Sequence, residues 1–231
     1  MRPLELPKGA RRAFDRLAAD LARIFGGRLV SLVAFAPSAS LAFVTAIEPD
    51  DLDACATLVD NWHRERLAPP LVMTPDEFRR SLDAFPLESA TILASYTVIV
   101  GQDPLAGLAV RQEDLRRACE VQARSLLVHL RQGWLEAAGH TERLDHLVAD
   151  ASLPLRHLLT HLATLEGAGA DSVDDLVRFS AERLGLPGDL VKAVLALEAA
   201  PEGSRHVSRR LPEFLSAAER LWSSVDRWQS R

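Results

Sequence analysis

Cysteine is scarce in this sequence. Cys55 and Cys119 are the only cysteines among 231 residues, and they belong to no Cys-x-x-Cys motif. Two isolated cysteines predict small core residues of a protein in a reducing compartment. No apolar run approaches the roughly 18 residues that suggest a membrane helix, and residues 1–12 lack the apolar core of a signal peptide. We therefore expect a cytoplasmic protein with no membrane partner.

An excess of basic charge is also absent. The 32 Asp and Glu residues outnumber the 27 Lys and Arg residues, and the formal net charge is -5. A protein-wide nucleic-acid interface usually requires a basic balance, so the sequence gives no strong nucleic-acid signal. Only Lys8 and Lys192 are lysines. We attribute the preference for arginine, together with the many alanines and leucines, to genome composition.

The third absence concerns acidic side chains in the most β-rich stretch. Two runs rich in Val, Ile, Phe and Thr, Leu29–Phe35 and Leu41–Ile47, predict a pair of strands joined by the short segment Ala36–Ser40. Enzymes often hold catalytic carboxylates on a strand–turn–strand unit of this kind. Neither run contains Asp or Glu, so the sequence is more informative about architecture than about activity.

Helices and strands alternate up to about residue 108. Apolar spacing predicts a helix over Arg11–Phe25 and another from Asp50 or Asp51 to about Leu67. The inward face of the second helix is expected to comprise Leu52, Cys55, Ala56, Val59 and Trp62. Further expected elements are a strand at Leu71–Met73, a helix start at Thr74-Pro75 and a strand at Tyr96–Val100, whereas Leu87–Ser95 is ambiguous.

From Gln112 onward the sequence predicts helices only. A long amphipathic helix runs to about Ala138, and a second stretch over Glu142–Glu166 is split by Pro154. Further helices are expected from Ser172 to Gly185, over Pro187–Ala199 and over Leu211–Trp228. Amphipathic helices with short connections predict a bundle. The predicted fold class is α+β: a mixed sheet with flanking helices in residues 1–108, followed by an all-α helical bundle in residues 109–231.

Three segments of the first half follow one another in a recognisable order. Ile24–Leu32 leads into the first strand, a later strand is followed by Thr74–Phe78, and Val98–Leu105 contains another strand. This order, with a helical second half, resembles the nucleotidyltransferase superfamily, in particular its two-domain members of the kanamycin nucleotidyltransferase type. The resemblance covers the first half of the chain, whereas the bundle matches only in class. It implies a nucleotidyltransferase-like mixed sheet.

The departures from this family concern its catalytic residues. Active members carry a Gly-Ser pair after the first strand, where this chain has Ala36-Pro37-Ser38. Their next strand carries Asp-x-Asp, because a Mg²⁺ ion that bridges phosphates needs oxygen ligands. Leu41–Ala46 lacks these acids, and Leu71–Met73 offers no third carboxylate. The resemblance therefore implies a catalytically inactive member without metal or cofactor, which acts as a ligand-binding, regulatory or protein-interaction module.

The residues expected to line a remaining cleft come from both halves. Ser38 and Ser40 lie in the turn, and Thr45 lies on the second strand. Arg117 and Arg124 belong to a row of arginines that recurs every seven residues on the long helix, and such a row can bind an anionic ligand. The same pattern is typical of a solvated helix face, and the serines are also typical of ordinary turns.

Two enzymatic alternatives stay open. The first is Mg²⁺-dependent nucleotidyl transfer with displaced ligands such as Glu48, Asp50 and Asp51, which follow the second strand. The second is a HEPN-like ribonuclease in the helical half, because Arg124 and His129 show the Arg-x4-His spacing of that family. In a chain so rich in arginine this spacing also occurs by chance. General acid–base work by the histidine would require a cleft around it.

Two smaller features concern metals and partners. His157 and His161 lie four residues apart, as do His146 and Asp150, and zinc can use such pairs. The Leu-rich surroundings favour hydrogen-bonded or solvent-edge histidines instead. A homodimer or a protein partner is expected to bind through the helical domain, where tryptophans are candidate core or interface anchors. These are Trp134, Trp222 and Trp228.

Overall fold

In the computed structural model, which describes residues 2–170 and 172–227, the chain divides into two units, residues 1–111 and 112–231. The sequence placed this boundary between residues 108 and 109. The first unit contains a mixed sheet with helices, and the described part of the second unit contains helices without strands. The fold class is therefore α+β, as predicted.

The sheet of the first unit has five strands. They are β1 (Arg2–Pro3), β2 (Leu29–Ala34), β3 (Ser40–Val44), β4 (Leu71–Met73) and β5 (Ser95–Gly101). The strand order is β1-β5-β2-β3-β4. β2 is antiparallel to both β3 and β5, whereas β4 is parallel to β3 and β1 is parallel to β5. The short turn between β2 and β3 permits only antiparallel pairing, and helices between β3 and β4 provide the crossover that parallel strands require.

The helices of the first unit are α1 (Lys8–Phe25), α2 (Pro49–Ala56), α3 (Val59–Arg64), α4 (Pro75–Ser81) and α5 (Pro86–Ala94). α1 ends at Gly26, which has φ 55°, a backbone conformation that glycine adopts readily. α4 begins as predicted: the Thr74 hydroxyl accepts a hydrogen bond of 3.1 Å from the Glu77 N–H, and Pro75 is the first helical residue. α5 occupies the stretch that the sequence left ambiguous.

The single helix predicted over residues 50–67 is wrong, because the chain forms two helices there. At the break, the Thr57 hydroxyl donates to the carbonyl of Ala54 over 2.7 Å. The Leu58 N–H donates to the carbonyl of Cys55 over 2.9 Å. The Leu58 backbone bond reaches back three residues, as in a 3₁₀ turn, and this tighter winding separates α2 from α3.

The inward face predicted for this region is also partly wrong. Leu52 is 50% exposed, and Ala56 is exposed as well. The buried side chains of α2 are Asp51 and Cys55, and Trp62 is the buried residue of α3. The face of α2 that turns inward thus includes a carboxylate, which the apolar pattern could not indicate.

Apolar side chains cover both faces of the sheet. On one face α1 packs against Ala42 and Val44 of β3; its buried residues are Ala13, Phe14, Leu17, Leu21 and Phe25. On the other face Leu41 and Phe43 pack with Phe78, Ile92, Tyr96 and Leu105. All five residues of β3 are buried, so this strand is the centre of the first unit's core.

The helices of the second unit are α6 (Gln112–Ala137), α7 (Thr141–Asp150), α8 (Ser152–Leu165), α9 (Val173–Leu184), α10 (Gly188–Ala196), α11 (Ser204–Ser208) and α12 (Leu211–Asp226). α7 and α8 separate at Ala151, and Pro154 lies in the first turn of α8, where its missing N–H breaks no helical bond. α9 begins at its Ser172 cap and ends at Gly185, as predicted. Trp228 lies outside the described residues.

Two further expectations concern cysteines and membranes. Cys55 and Cys119 are free thiols, and both are buried. In the described parts of the chain, no helix has the length and apolar character needed to cross a bilayer. The cytoplasmic location stays a prediction.

Candidate functional site

The family resemblance compares the turn between β2 and β3 with the phosphate-binding Gly-Ser turn of active nucleotidyltransferases. Three of its N–H groups bond within the turn: Phe35 and Ala36 donate to the carbonyl of Ala39 over 3.1 and 3.4 Å, and Ala39 donates back to Ala36 over 3.3 Å. Pro37 contributes no N–H. The carbonyl of Ser38 accepts a 2.8 Å hydrogen bond from Ala68. The turn is therefore tied to its own backbone rather than open to phosphate.

The strand that the resemblance compares with the metal-binding strand is β3, whose five residues are all buried. Leu41 and Phe43 have no exposed surface. The Phe43 ring meets Phe78 edge to face, with 5.8 Å between centroids and 82° between planes. Phe43 is also in register with Met73 on β4. A later-strand ligand would be expected beside it, and that position holds a thioether instead of a carboxylate.

The predicted cleft residues of the first unit do not lie together. Ser40 begins β3 and Thr45 follows its end, so they are about 16 Å apart at roughly 3.3 Å per strand residue. Ser40 is 1% exposed, and its hydroxyl has no hydrogen-bond partner among the described residues. Ser38 and Thr45 are exposed. These three residues therefore do not form one binding site.

Arg117 and Arg124 lie on α6, in the second unit. A guanidinium nitrogen of Arg117 is 3.9 Å from the Asp114 carboxylate, and Arg124 lies over the ring of Trp222 at 5.8 Å from its centroid. The next arginine of the row, Arg131, binds a carboxylate of α12 over 2.5 Å. Each member of the row thus has a partner on α6 or α12, and a solvated helix face commonly shows such contacts.

The acids proposed as displaced metal ligands have other partners. Asp51 accepts two hydrogen bonds of 2.6 Å from Arg28 and one of 2.9 Å from the Glu48 N–H. The Arg28 bonds lower the pKa of the Asp51 carboxyl more than its burial raises it, and the Glu48 N–H lowers it further. Glu48 and Asp50 are exposed. Among the described residues, no three His, Cys, Asp or Glu side chains converge as a metal site would require.

This bidentate ion pair was not predicted from the sequence. The spacing of Glu48 and Asp51 fits a capping box, and it could have indicated the local bond that begins α2. Arg28 lies 23 residues before Asp51, and no sequence signal joins them. Arg28 also lies 5.7 Å from the centroid of the Phe25 ring. The pair fastens α2 to the start of β2, which is a structural role.

The candidate ribonuclease pair is separated on α6. Arg124 lies against Trp222 of α12, whereas His129 lines a groove next to α7 and α8. Five helical residues turn the side chains by about 140° relative to one another, at about 100° per residue. His129 Nδ1 is 2.9 Å from the carbonyl of Ser125. The Ser125 hydroxyl is also 3.1 Å from Nδ1, so this nitrogen can donate to the carbonyl or accept from the hydroxyl.

The histidines considered as metal ligands differ in exposure, and the described tryptophans of the helical unit are partly exposed. His161 is buried, whereas His157 and His146 are exposed. Trp134, a candidate anchor, is 39% exposed, and Trp222 is half-buried beneath Arg124.

The groove beside His129 has a volume of about 550 Å³ and lies between α6, α7 and the start of α8. Sequence analysis did not find it. The one local signal was Gly133 in the middle of a long helix, where glycine is unfavourable and indicates close packing. A Cβ at this position would lie 2.4 Å from Leu147 Cδ1.

Comparisons of the chain with protein-family models, with curated proteins and with solved structures give no match at the significance level applied. The geometry of the described residues is therefore the basis for any statement about function.

Proposed function

We propose that the first unit is a nucleotidyltransferase-like domain that has lost its catalytic site, and that the protein acts as a non-catalytic ligand-binding, regulatory or protein-interaction module. One observation carries this proposal: all five residues of β3, the strand compared with the Mg²⁺-binding strand of active members, are buried, and none of them carries a carboxylate. Apolar side chains cannot bind Mg²⁺, which requires oxygen ligands.

The arrangement of elements supports the family resemblance. α1 precedes β2, a four-residue hydrogen-bonded turn leads into the antiparallel β3, and β4 pairs in parallel with β3 before α4 begins. This is the helix–strand–turn–strand order on which the resemblance rests. On this resemblance, β3 is the strand to compare with the metal-binding strand of active members.

The chemistry argues against phosphoryl transfer in this framework. Metal ions and positioned donors supply most of the stabilisation of the charge that develops during nucleotidyl transfer. Three N–H groups of the β2–β3 turn bond within the turn, Pro37 has none, and the acids after β3 include Asp51, which is bound to Arg28. An interaction role is supported by exposed apolar side chains on α6, such as Val121 and Leu135, which are 65% and 82% exposed.

A thermal-shift titration of the full chain with ATP, GTP and CTP, each with and without Mg²⁺, tests the proposal. A ligand that binds the folded state stabilises it by about 2.7 kcal/mol at roughly a hundredfold excess over its dissociation constant. We expect no Mg²⁺-dependent shift and no release of pyrophosphate. A Mg²⁺-dependent shift accompanied by pyrophosphate release would overturn the proposal in favour of an active enzyme with displaced ligands.

A further inference from the structure

The groove of the second unit, defined by its lining residues on α6, α7 and α8, has an apolar floor. Floor side chains come from all three helices: Leu126, Leu130, Leu147, Ala151 and Pro154. Gly133 adds no side chain, which leaves space for Leu147 to approach α6. The volume of about 550 Å³ lies within the usual range of small-molecule sites, roughly 300–1,000 Å³. An apolar ring or short aliphatic chain would match this floor.

The rim of the groove is rich in hydrogen-bond acceptors. Glu136 and Asp150 contribute carboxylates, and neither has an ion-pair partner among the described residues. Gln132 donates to Glu136 over 2.7 Å, which orients that carboxylate. His129 also lies at the rim, with Nδ1 near both the carbonyl and the hydroxyl of Ser125. The remaining polar groups of the lining are uncharged.

Among the described residues, no Arg or Lys lines the groove, although the chain contains 27 of them. Arg143, which follows in α7, donates to the backbone carbonyl of Glu136 over 3.1 Å and thus completes the end of α6. The formal charge of the lining therefore comes from two carboxylates. A ligand with a donor-rich positive group would be complementary to this rim, whereas an anion would be repelled.

We propose that this groove binds an organic cation that carries one protonated amine and an apolar body. The apolar body would lie on the floor, and the ammonium would lie at the rim, near the carboxylates of Glu136 and Asp150. This inference concerns the second unit alone and does not depend on the loss of catalysis in the first. The exposure of the rim means that affinity is weak for a minimal ligand, since solvated ion pairs contribute little.

The test uses benzylammonium as the probe, with benzyl alcohol and benzoate as neutral and anionic analogues of similar shape. Binding is followed in the full chain by NMR of the Ala151 and Leu147 methyl groups, which belong to the floor. We expect saturable shifts with benzylammonium at a dissociation constant in the millimolar range. Benzyl alcohol is expected to bind more weakly, and benzoate not at all.

Charge-neutralising variants then locate the site. Glu136→Gln and Asp150→Asn are each expected to weaken benzylammonium binding about fivefold, which corresponds to about 1 kcal/mol. Glu182→Gln, on α9 and outside the groove lining, removes the same charge and is the matched control. Equal binding of all three probes, equal effects of all three variants, or the absence of shifts at these methyl groups would each overturn the proposal.

Discussion

Truncation of Phe43 distinguishes a filled sheet face from an open catalytic cleft. If this face of β3 were a working site, the side chain at position 43 would be solvated and its removal would cost little. Phe43 instead has no exposed surface, and its ring packs edge to face on Phe78. Loss of a buried phenylalanine side chain costs about 3–5 kcal/mol. That cost is a large fraction of the roughly 5–15 kcal/mol that stabilises a typical domain.

Phe85→Ala provides a matched control, because the same atoms are removed from a ring that is 60% exposed. Unfolding in urea is followed by fluorine NMR of protein labelled with 5-fluorotryptophan. Trp62 is the only tryptophan within residues 1–111, so its signal reports the first unit alone. With a denaturant slope of about 1–3 kcal/mol per molar urea, Phe43→Ala should lower the midpoint by at least about 1 M.

The effect of Phe43→Ala on the unfolding free energy is judged against that of Phe85→Ala. Phe85→Ala should change the unfolding free energy by only about 0.5 kcal/mol, as surface substitutions usually do. If Phe43→Ala lowers the unfolding free energy no more than Phe85→Ala does, this face of β3 is not part of the core. That result would refute the proposal of a lost catalytic site. The double variant Leu41→Asp with Phe43→Asp extends the test, because it introduces an Asp-x-Asp pattern on β3. Buried unpaired carboxylates are strongly destabilising, so we expect this variant not to fold.

Three further predictions concern the glycine at the end of β5, an ion pair and a thiol. Gly101→Ala should cost about 3 kcal/mol or more in urea unfolding, because a Cβ there would lie 2.1 Å from a backbone oxygen of β2 at φ 88°. Gly107→Ala, at φ 76° with nothing within 4 Å, should cost only about 1–2 kcal/mol, and equal costs would contradict this. Bonding to Arg28 lowers the folded-state pKa of Asp51, so the wild type should be more stable than Asp51→Asn at neutral pH. The difference in unfolding free energy should shrink as the pH falls below about 4. A difference that does not change with pH would contradict the ion pair. Burial raises the pKa of the Cys119 thiol to about 12, so it should react with an aromatic disulfide only after unfolding, and rapid native reaction would show that it is accessible.

Elements whose limits are set by local chemistry could be predicted from the sequence. Thr74 and Pro75 begin α4 as expected, because the cap and its partner lie three residues apart. Ser172 and Gly185 limit α9 for the same reason. The β-branched runs of β2 and β3 were also recognisable, since their residues pack well on a pleated sheet.

Long-range contacts explain the main error in the fold. The apolar pattern favoured one helix over residues 50–67 with Leu52 facing inward. In the structure Asp51 faces Arg28, and the Trp62 indole N–H donates to Asp20 on α1 over 3.1 Å. These two anchors fix α2 and α3 separately against distant parts of the unit. A periodicity argument contains no information about either partner.

The first-unit residues of the predicted site are close in sequence, but an extended strand does not keep them close in space. Ser40 and Thr45 are five residues apart, yet they flank β3 at its two ends. For the arginine row on α6, the seven-residue spacing predicts a shared helix face, either anion-binding or solvated. Its partners, such as Trp222 beneath Arg124, lie on a helix about 100 residues further along and could not be inferred from spacing.

The absence of acids on β3 is better described as a gain of packing than as a missing site. Leu41 and Phe43 connect the sheet to Phe78 of α4 and Ile92 of α5 in one apolar cluster. Carboxylates introduced there would place charge inside that cluster and would disrupt the core. A ligand of the first unit would therefore have to use another surface. The groove beside His129 offers an apolar floor and an acidic rim in the second unit, which makes it the first place to look for a small-molecule function.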